Sequence, residues 1–522
     1  MNAGTWNGEL LSRSEIATRA GVERPAVTNW QRRHPDYPEP VRVGDEELFH
    51  AGEIHTWLSR RVVPRNGLRP GETHGTTYGD RFATVLGRAP IDPGKVRRVV
   101  DELLGKAGAS LLGSGWNPDH QALLQELLLL RTRPTEWQDI ALEFPPAVST
   151  VARKIAEAGG DPHRHPLLRD QSSGIALGEA IRIIDRLSPP QEVAAAYDAL
   201  LDAAATRQGP RAADILTPPS VRAAMLAVLS QGARPGSLYD PYCRSGELLV
   251  DAAPMLAPGA TVRGTTMRAD NARSSSLNLA VHSVRATVDL RPGFPEPAAP
   301  GRYDLVLANP PFSMKAPAST YVTDRRWPFG PPPAHNLDLA WIQHVVLSLA
   351  DGGRGAVVMP HGAAFRSGRE RDIRAALVES GAIECLVSLP GGLFAATSIP
   401  VMIWILRPPH RAERRGVLMI DATELGTRTP RGRRLAAPAV TAIAAAYLAW
   451  HTDGALSEIS ACPTTDELRS ADYQLVPARY LDPSPRQPSA EVDEIRQRLS
   501  DLEHRAALAD RRLTEALKGW MR

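Results

Sequence analysis

Cysteine, lysine and aromatic side chains are all scarce in this 522-residue chain. The three cysteines, Cys243, Cys385 and Cys462, lie far apart, so neither a disulfide framework nor a zinc-ligand cluster is suggested. No apolar run reaches the length of a bilayer span, and the N-terminus lacks a signal-peptide core. The chain is therefore expected in a reduced cytoplasm, away from membranes. Lysine occurs only at positions 95, 106, 154, 315 and 518, so the basic side is almost all arginine. With abundant Ala, Gly and Pro, this reads as the product of a GC-rich genome rather than as a functional bias. A net charge of +3 gives no global polycation argument for nucleic acid. The length allows roughly three domains, each with an ample core.

Residues 1–65 read as a small helical module with a winged helix-turn-helix order. Ser12 or Ser14 can cap a helix through Ile16, Ala17 and Ala20, Gly21-Val22 makes the turn, and Arg24-Pro25 opens a second helix. That helix turns Val27 and Trp30 inward and leaves Arg24, Thr28, Asn29, Arg32 and Arg33 on other faces, as a DNA-recognition helix does. A hairpin of Val41–Val43 with Leu48–His50 and a helix over Ala51–Arg61 follow. A protein–protein adaptor is the alternative, and Glu46, Glu47 and Glu53 make any DNA affinity modest and salt-sensitive. Residues 66–91 are Gly-, Pro-, Arg- and Thr-rich and read as a linker. Residues 92–210 are mostly helical, with apolar spacings of three and four at Val96, Val99, Val100 and Leu103, over Leu123–Leu130, and at Ile181, Ile184 and Leu187. His163 and His165 read as part of a surface loop, with metal ligation the weaker alternative.

From 211 to 422 strands alternate with helices, which argues an α/β fold with a doubly wound, mostly parallel sheet preceded by helical regions. Thr217-Pro218 precedes a helix, with Thr217 a cap or a ligand contact. Leu238-Tyr239 ends a first strand and Asp240-Pro241-Tyr242-Cys243-Arg244-Ser245-Gly246 makes a tight turn of the kind that cradles a nucleotide-like ligand. Further strands are expected at Thr261–Arg263, Ala286–Asp289, Leu305–Ala308, Gly355–Met359, Ile383–Leu389, Val401–Leu406 and Val417–Ile420. The stretch Tyr303–Ala308 is a short apolar run that stops at Asn309-Pro310-Pro311-Phe312, which neither strand nor helix can continue. The carbonyls of Asn309 and Pro310, stiffened by Pro311, can both accept from one exocyclic amine, and Phe312 offers a face for a planar ring. This suits methyl transfer to a conjugated amine; a turn with a buried Phe is the alternative. Residues 423–490 form an extension with a basic loop, Arg428 to Arg434, and a helix over Val440–Trp450. Residues 491–522 read as a charged helix, either a partner contact or a solvated end.

Taken in order, these motifs resemble the modification (methyltransferase) subunit of type I restriction–modification systems. Pro190–Leu200 with Thr217-Pro218, Asp240-Pro241 with Cys243 and Ser245-Gly246, Asn278-Leu279, and Asn309–Phe312 carry the resemblance. Asp324–Trp327 with Phe329-Gly330, Gly353–Gly362, and Leu389–Phe394 with Ile399-Pro400 extend it over a little under half the chain. The resemblance implies a class I S-adenosylmethionine-dependent, Rossmann-like fold and methylation of adenine N6 in DNA, with Asn309, Pro310, Pro311 and Phe312 catalytic. It implies S-adenosyl-L-methionine as cofactor, held by Thr217, Asp240, Pro241, Cys243, Ser245, Gly246, Thr266, Asp289 and Asn309, with no metal. It implies DNA, a separate specificity subunit and a restriction subunit as partners. Two residues depart from the family pattern: Arg244 stands where Gly is usual, and Thr266 where a carboxylate binds the ribose. Asp289 is either an adenine partner or a strand-end residue. Methylation of a protein glutamine amide, methylation of RNA, and a DNA-binding regulator or scaffold with a degenerate methyltransferase fold are the rival readings.

Overall fold

Ser12 starts the first helix through a capping box: its side chain accepts from the Glu15 amide while the Glu15 carboxylate takes the Ser12 N–H. The helix Arg13–Ala20 ends at Gly21 in the left-handed region (φ 65°), and Arg24–Arg33 follows with proline in its first turn. Strands β1 (Leu10–Leu11), β2 (Val41–Val43) and β3 (Glu46–His50) make a small antiparallel sheet in the order β1-β3-β2. Ile16, Val27, Phe49, Ile54 and Trp57 form the module's core. The helix Tyr78–Thr84 lies where a linker is expected, yet its Phe82 is buried in that same core. Gly79 allows this close packing, since a Cβ there would fall 2.3–2.7 Å from Ser59. The computed structural model describes residues 10–43, 46–64, 67, 75–84, 91–105, 118–207, 216–230, 232–291, 294, 301–315, 327–394, 399–409, 416–429 and 432–481. The expected terminal helix over 491–522 and the Asp324–Arg326 stretch lie outside these residues.

The helical region packs around Pro118–Arg131, whose Leu123, Leu124 and Leu127–Leu130 are all buried. A helix buried on nearly every side lies at the centre of its bundle, and its polar His120, Gln121, Gln125 and Glu126 are buried with it. Leu277 and Val281 of the helix Ala269–Val281 join the same core, which fastens the bundle to the α/β region. His165, expected in a surface loop, is instead buried and bonded to the Glu126 carboxylate at 2.9 Å.

The remaining strands are β4 (Ser237–Asp240), β5 (Thr261–Thr266), β6 (Thr287–Leu290), β7 (Tyr303–Ala308), β8 (Leu349–Pro360), β9 (Ile383–Ser388), β10 (Val401–Leu406), β11 (Leu418–Asp421), β12 (Gly426–Thr429), β13 (Gly432–Leu435) and β14 (Ser460–Ala461). Nine of them form one sheet in the order β14-β11-β9-β10-β8-β7-β4-β5-β6. It is mostly parallel; β10 runs antiparallel between β8 and β9. Alternate residues explain why these strands read as continuous apolar runs: Leu305 and Leu307 face one core, Val306 and Ala308 the other. Val401, Ile403 and Ile405 against Met402, Trp404 and Leu406 repeat that division. Both faces are covered by helices, so neither needs polar residues. The basic stretch Arg428 to Arg434, read as a loop, is a two-stranded hairpin of β12 and β13, with residues 430 and 431 outside the described set.

Candidate active site

Strands β4 and β7 lie side by side and parallel, and both end at the same rim of the sheet. The chain builds outward from β4 through β5 to β6, then returns to β7 on its other side. The crevice beyond those carboxyl ends is the topological switch point, where such sheets bind ligands. Asp240 is the last residue of β4, and Asn309 directly follows β7.

Asn309 is 1% exposed, and its Nδ2 donates to Thr217 Oγ1 at 3.0 Å. The Thr217 hydroxyl in turn donates to Glu247 Oε1 at 2.8 Å, and the Thr217 amide reaches the same oxygen at 2.9 Å. Glu247 Oε2 accepts from Ser245 Oγ at 2.8 Å, so this buried carboxylate has a donor on each oxygen. Arg222 anchors the far side, donating to the Thr217 carbonyl at 2.7 Å and to Asp251 at 2.6 Å. The direction of these bonds fixes the carboxamide: its nitrogen faces Thr217, and Oδ1 has no hydrogen-bond partner among the described residues. No hydrogen bond among the described residues reaches the Pro310 carbonyl either. Phe312 is half-buried and meets Phe394 edge-on at 6.0 Å, so it is not the fully buried ring of an ordinary turn. Ser313, next in sequence, has φ 53°, and its amide is held by Asp338 Oδ1 at 2.7 Å. Arg366 grips the other oxygen of Asp338 at 2.7 Å. The turn that presents Asn309 and Phe312 is thereby fixed at both ends.

The turn after β4 is equally constrained. Gly246 adopts φ 77°, and a Cβ there would approach Ser275 to 3.2 Å. Asn278 Nδ2 donates to the Ser245 carbonyl at 2.8 Å. Asp240 accepts from the Tyr242 amide at 3.0 Å, and Pro241 lies buried between them. Burial pushes the Asp240 carboxyl well above the usual carboxylate range, and the nearby Glu247 adds to the shift. Cys243 is 1% exposed within the core beside Gly264, and burial raises its thiol too. Arg244 is buried in this turn, its guanidinium 5.4 Å from the Tyr242 ring. Thr266 is buried at the end of β5, 3.5 Å from the Arg268 amide. Asp289 is held by Arg263 at 2.6 Å across β5 and β6.

The structure thus brings together Thr217, Asp240, Ser245, Gly246 and Asn309. It sets Cys243 into the core and pairs Asp289 with Arg263. Glu247, Arg222, Asn278 and Asp338 are the polar residues that hold this arrangement. Two of them carry a signal in the sequence: Glu247, a carboxylate directly after the tight turn, and Asn278, one of the motif residues that carry the resemblance. On the N-terminal module, Arg24, Thr28, Asn29, Arg32 and Arg33 are all exposed along Arg24–Arg33, opposite buried Val27.

This sheet order, with its antiparallel strand and its switch-point crevice, defines a class I, Rossmann-like methyltransferase fold. The family model described as N-6 DNA Methylase matches residues 190–488, and the chain belongs to this family. It is 29% identical over 304 residues to the type I restriction enzyme HindI methylase subunit of Haemophilus influenzae, covering 55% of this chain and 67% of that protein. The MjaIX methylase subunit of Methanocaldococcus jannaschii is 25% identical over 365 residues, 65% of this chain and 63% of that protein. The chain thus spans about two thirds of the length of these relatives. Among solved structures, the type I restriction-modification system methyltransferase subunit from Streptococcus thermophilus superposes with a TM-score of 0.61 at 22% identity. That match covers 74% of this chain and 99% of the other. A chain from a study of complex assembly in the type I R-M system gives 0.56 at 18% identity, over 81% and 99% of the two chains. The N-terminal module lies outside the family match.

Proposed function

We propose that this chain methylates adenine N6 in DNA, using S-adenosyl-L-methionine, as the modification subunit of a restriction–modification or related defence system. One observation carries the reading: Asn309 is locked with its amide nitrogen satisfied, while among the described residues its buried Oδ1 and the adjacent Pro310 carbonyl have no hydrogen-bond donor. Two acceptors with no donor suit a group with two N–H bonds. The lone pair of an adenine amine is delocalised into the ring, so the amine is a poor nucleophile. Accepting both hydrogens at Asn309 and Pro310 draws the nitrogen toward tetrahedral geometry and localises that pair. The adenine has to leave the duplex to reach these atoms, and the Phe312 ring then stacks on it. Positioning and electrostatics supply the rate, with no covalent intermediate on the protein.

The donor would lie over the turn from Asp240 to Gly246, beside Thr217, and would supply an electrophilic methyl group. Asp240 offers a carboxyl to a cationic ligand, and the Gly246 backbone leaves room where a side chain would crowd Ser275. Thr266, buried and close to the Arg268 amide, offers little to a ribose. The relatives are type I methylase subunits, which supports a specificity subunit and a restriction subunit as partners in the cytoplasm, where the DNA is. None of the helices among the described residues is long and apolar enough to cross a membrane. The exposed Arg24, Thr28, Asn29, Arg32 and Arg33 support a DNA-contacting role for the first module.

Arg244, buried in the cofactor turn, favours a second reading: a DNA-binding regulator or scaffold whose methyltransferase fold no longer takes the donor. The test is transfer of a labelled methyl group to DNA, with the specificity partner present, by wild type and by Asn309→Ala. The proposal expects transfer by wild type and at least about a hundredfold loss in the variant. Near-normal activity in Asn309→Ala would remove the assignment. Wild type that neither binds S-adenosylmethionine in calorimetry nor transfers methyl would select the scaffold.

A further inference from the structure

The hairpin of β12 and β13 stands on the same rim of the sheet as Asn309. Strands β8 and β9 both pair antiparallel with β10, so β9 runs in the direction of β8 and β7. Strand β11 is parallel to β9, so the chain leaving β11 enters the hairpin on the carboxyl side, where the acceptor pocket opens. The hairpin is pressed onto the loop that follows β9. Arg433 donates its amide to the Gly392 carbonyl at 2.8 Å. A Cβ on Gly426 would strike Pro390 at 2.7 Å, and one on Gly432 would strike the Gly392 carbonyl at 2.5 Å. Leu435 is buried in the main core, and Phe394 of the same loop touches Phe312. The hairpin is therefore mounted on the structure that flanks the acceptor ring.

Its side chains are the unusual part. Arg428 and Arg433 are directly opposite each other in the antiparallel register, so they project from one face. Like charges in that position repel, and an anion between them relieves the repulsion. Arg434, opposite Thr427, projects from the other face and is exposed, as is Arg428. None of the three has an ion-pair or hydrogen-bonded carboxylate among the described residues. Other exposed arginines of this protein do have such partners, as Arg186 does with Glu102 and Arg469 with Glu379.

We propose that Arg428, Arg433 and Arg434 form a phosphate-binding hairpin that grips the duplex backbone beside the extruded adenine. This rests on the reading of Asn309–Phe312 as the adenine pocket, and it names the surface that holds the strand while the base is out. Guanidinium forks suit phosphate oxygens, and two faces of one ribbon can meet phosphates on either side.

The test uses the full chain and a short duplex of arbitrary sequence, with binding read by fluorescence anisotropy over a salt series. Arg428→Gln/Arg433→Gln/Arg434→Gln is expected to flatten the plot of log affinity against log salt by about 2–3, at roughly 0.9 per lost phosphate contact. Affinity at ~100 mM salt should fall about ten- to a hundredfold, and the corresponding triple Lys variant should recover most of it. Calorimetry with S-adenosylmethionine should be unchanged, which shows that the fold is intact. Wild-type slope and affinity in the triple Gln variant would overturn the proposal, as would a wild-type chain that does not bind the duplex at low salt. Preference for a single-stranded RNA, lost in the same variant, would also overturn it. Hairpin-dependent binding without methyl transfer would remove only the catalytic reading. Methyl transfer with an unchanged KM for DNA in the variant would remove only the hairpin.

Discussion

The carboxamide of Asn309 is set by a chain of donors that runs one way, from its nitrogen through the Thr217 hydroxyl to the Glu247 carboxylate. Removing the middle link strands a group at each end. Thr217→Val should cost about 1–3 kcal/mol of stability, read by chemical denaturation, and should lower methyl transfer because Asn309 can then flip. Asp240 gives a pH dependence. Its carboxyl titrates well above its ordinary value, so the free site holds a proton that the unfolded chain would already have released. That contribution to stability falls as pH rises through the folded-state pKa. A cationic donor beside Asp240 favours the ionised form, so binding releases the proton and affinity climbs with pH. Calorimetry in buffers of different ionisation enthalpy should detect that proton in wild type and not in Asp240→Asn. Asn309 was legible because two prolines after an apolar run mark the end of a buried strand. The Arg263–Asp289 pair was not, because it depends on the register of β5 with β6, which local sequence does not specify.

At the scale of elements, the turn from Asp240 to Gly246 is the most constrained piece of the site. Gly246→Ala must adopt φ 77° with a side chain and push against Ser275, so a loss of about 1–2 kcal/mol is expected in thermal or chemical denaturation. The same substitution should weaken S-adenosylmethionine binding in calorimetry; unchanged stability and binding would show that the turn has more freedom than this geometry allows. The strands of the large sheet were readable because both faces are apolar and the runs are bounded by Gly, Pro and Asp. The β12–β13 hairpin was not readable, since its residues carry charge rather than an alternating apolar pattern. The helix Tyr78–Thr84 was hidden by its surroundings: Gly- and Pro-rich flanks read as linker, while the close approach to Ser59 that explains Gly79 is a tertiary fact.

Across the whole molecule, the helical bundle and the α/β region share a core through Leu277 and Val281. The helix that carries them also carries Asn278 and Ser275, which support the cofactor turn. The bundle is thereby part of the frame of the site. The overall plan was legible as blocks of periodicity, whereas this sharing was not, because one helix serves two cores. The central claim is that the assembled pocket methylates adenine at N6. Long-read sequencing of host DNA for N6-methyladenine, with wild type, with Asn309→Ala and without the gene, tests it most directly. N6-methyladenine is expected at one recurring sequence with wild type and at none with the other two. An identical methylation pattern in all three would contradict it.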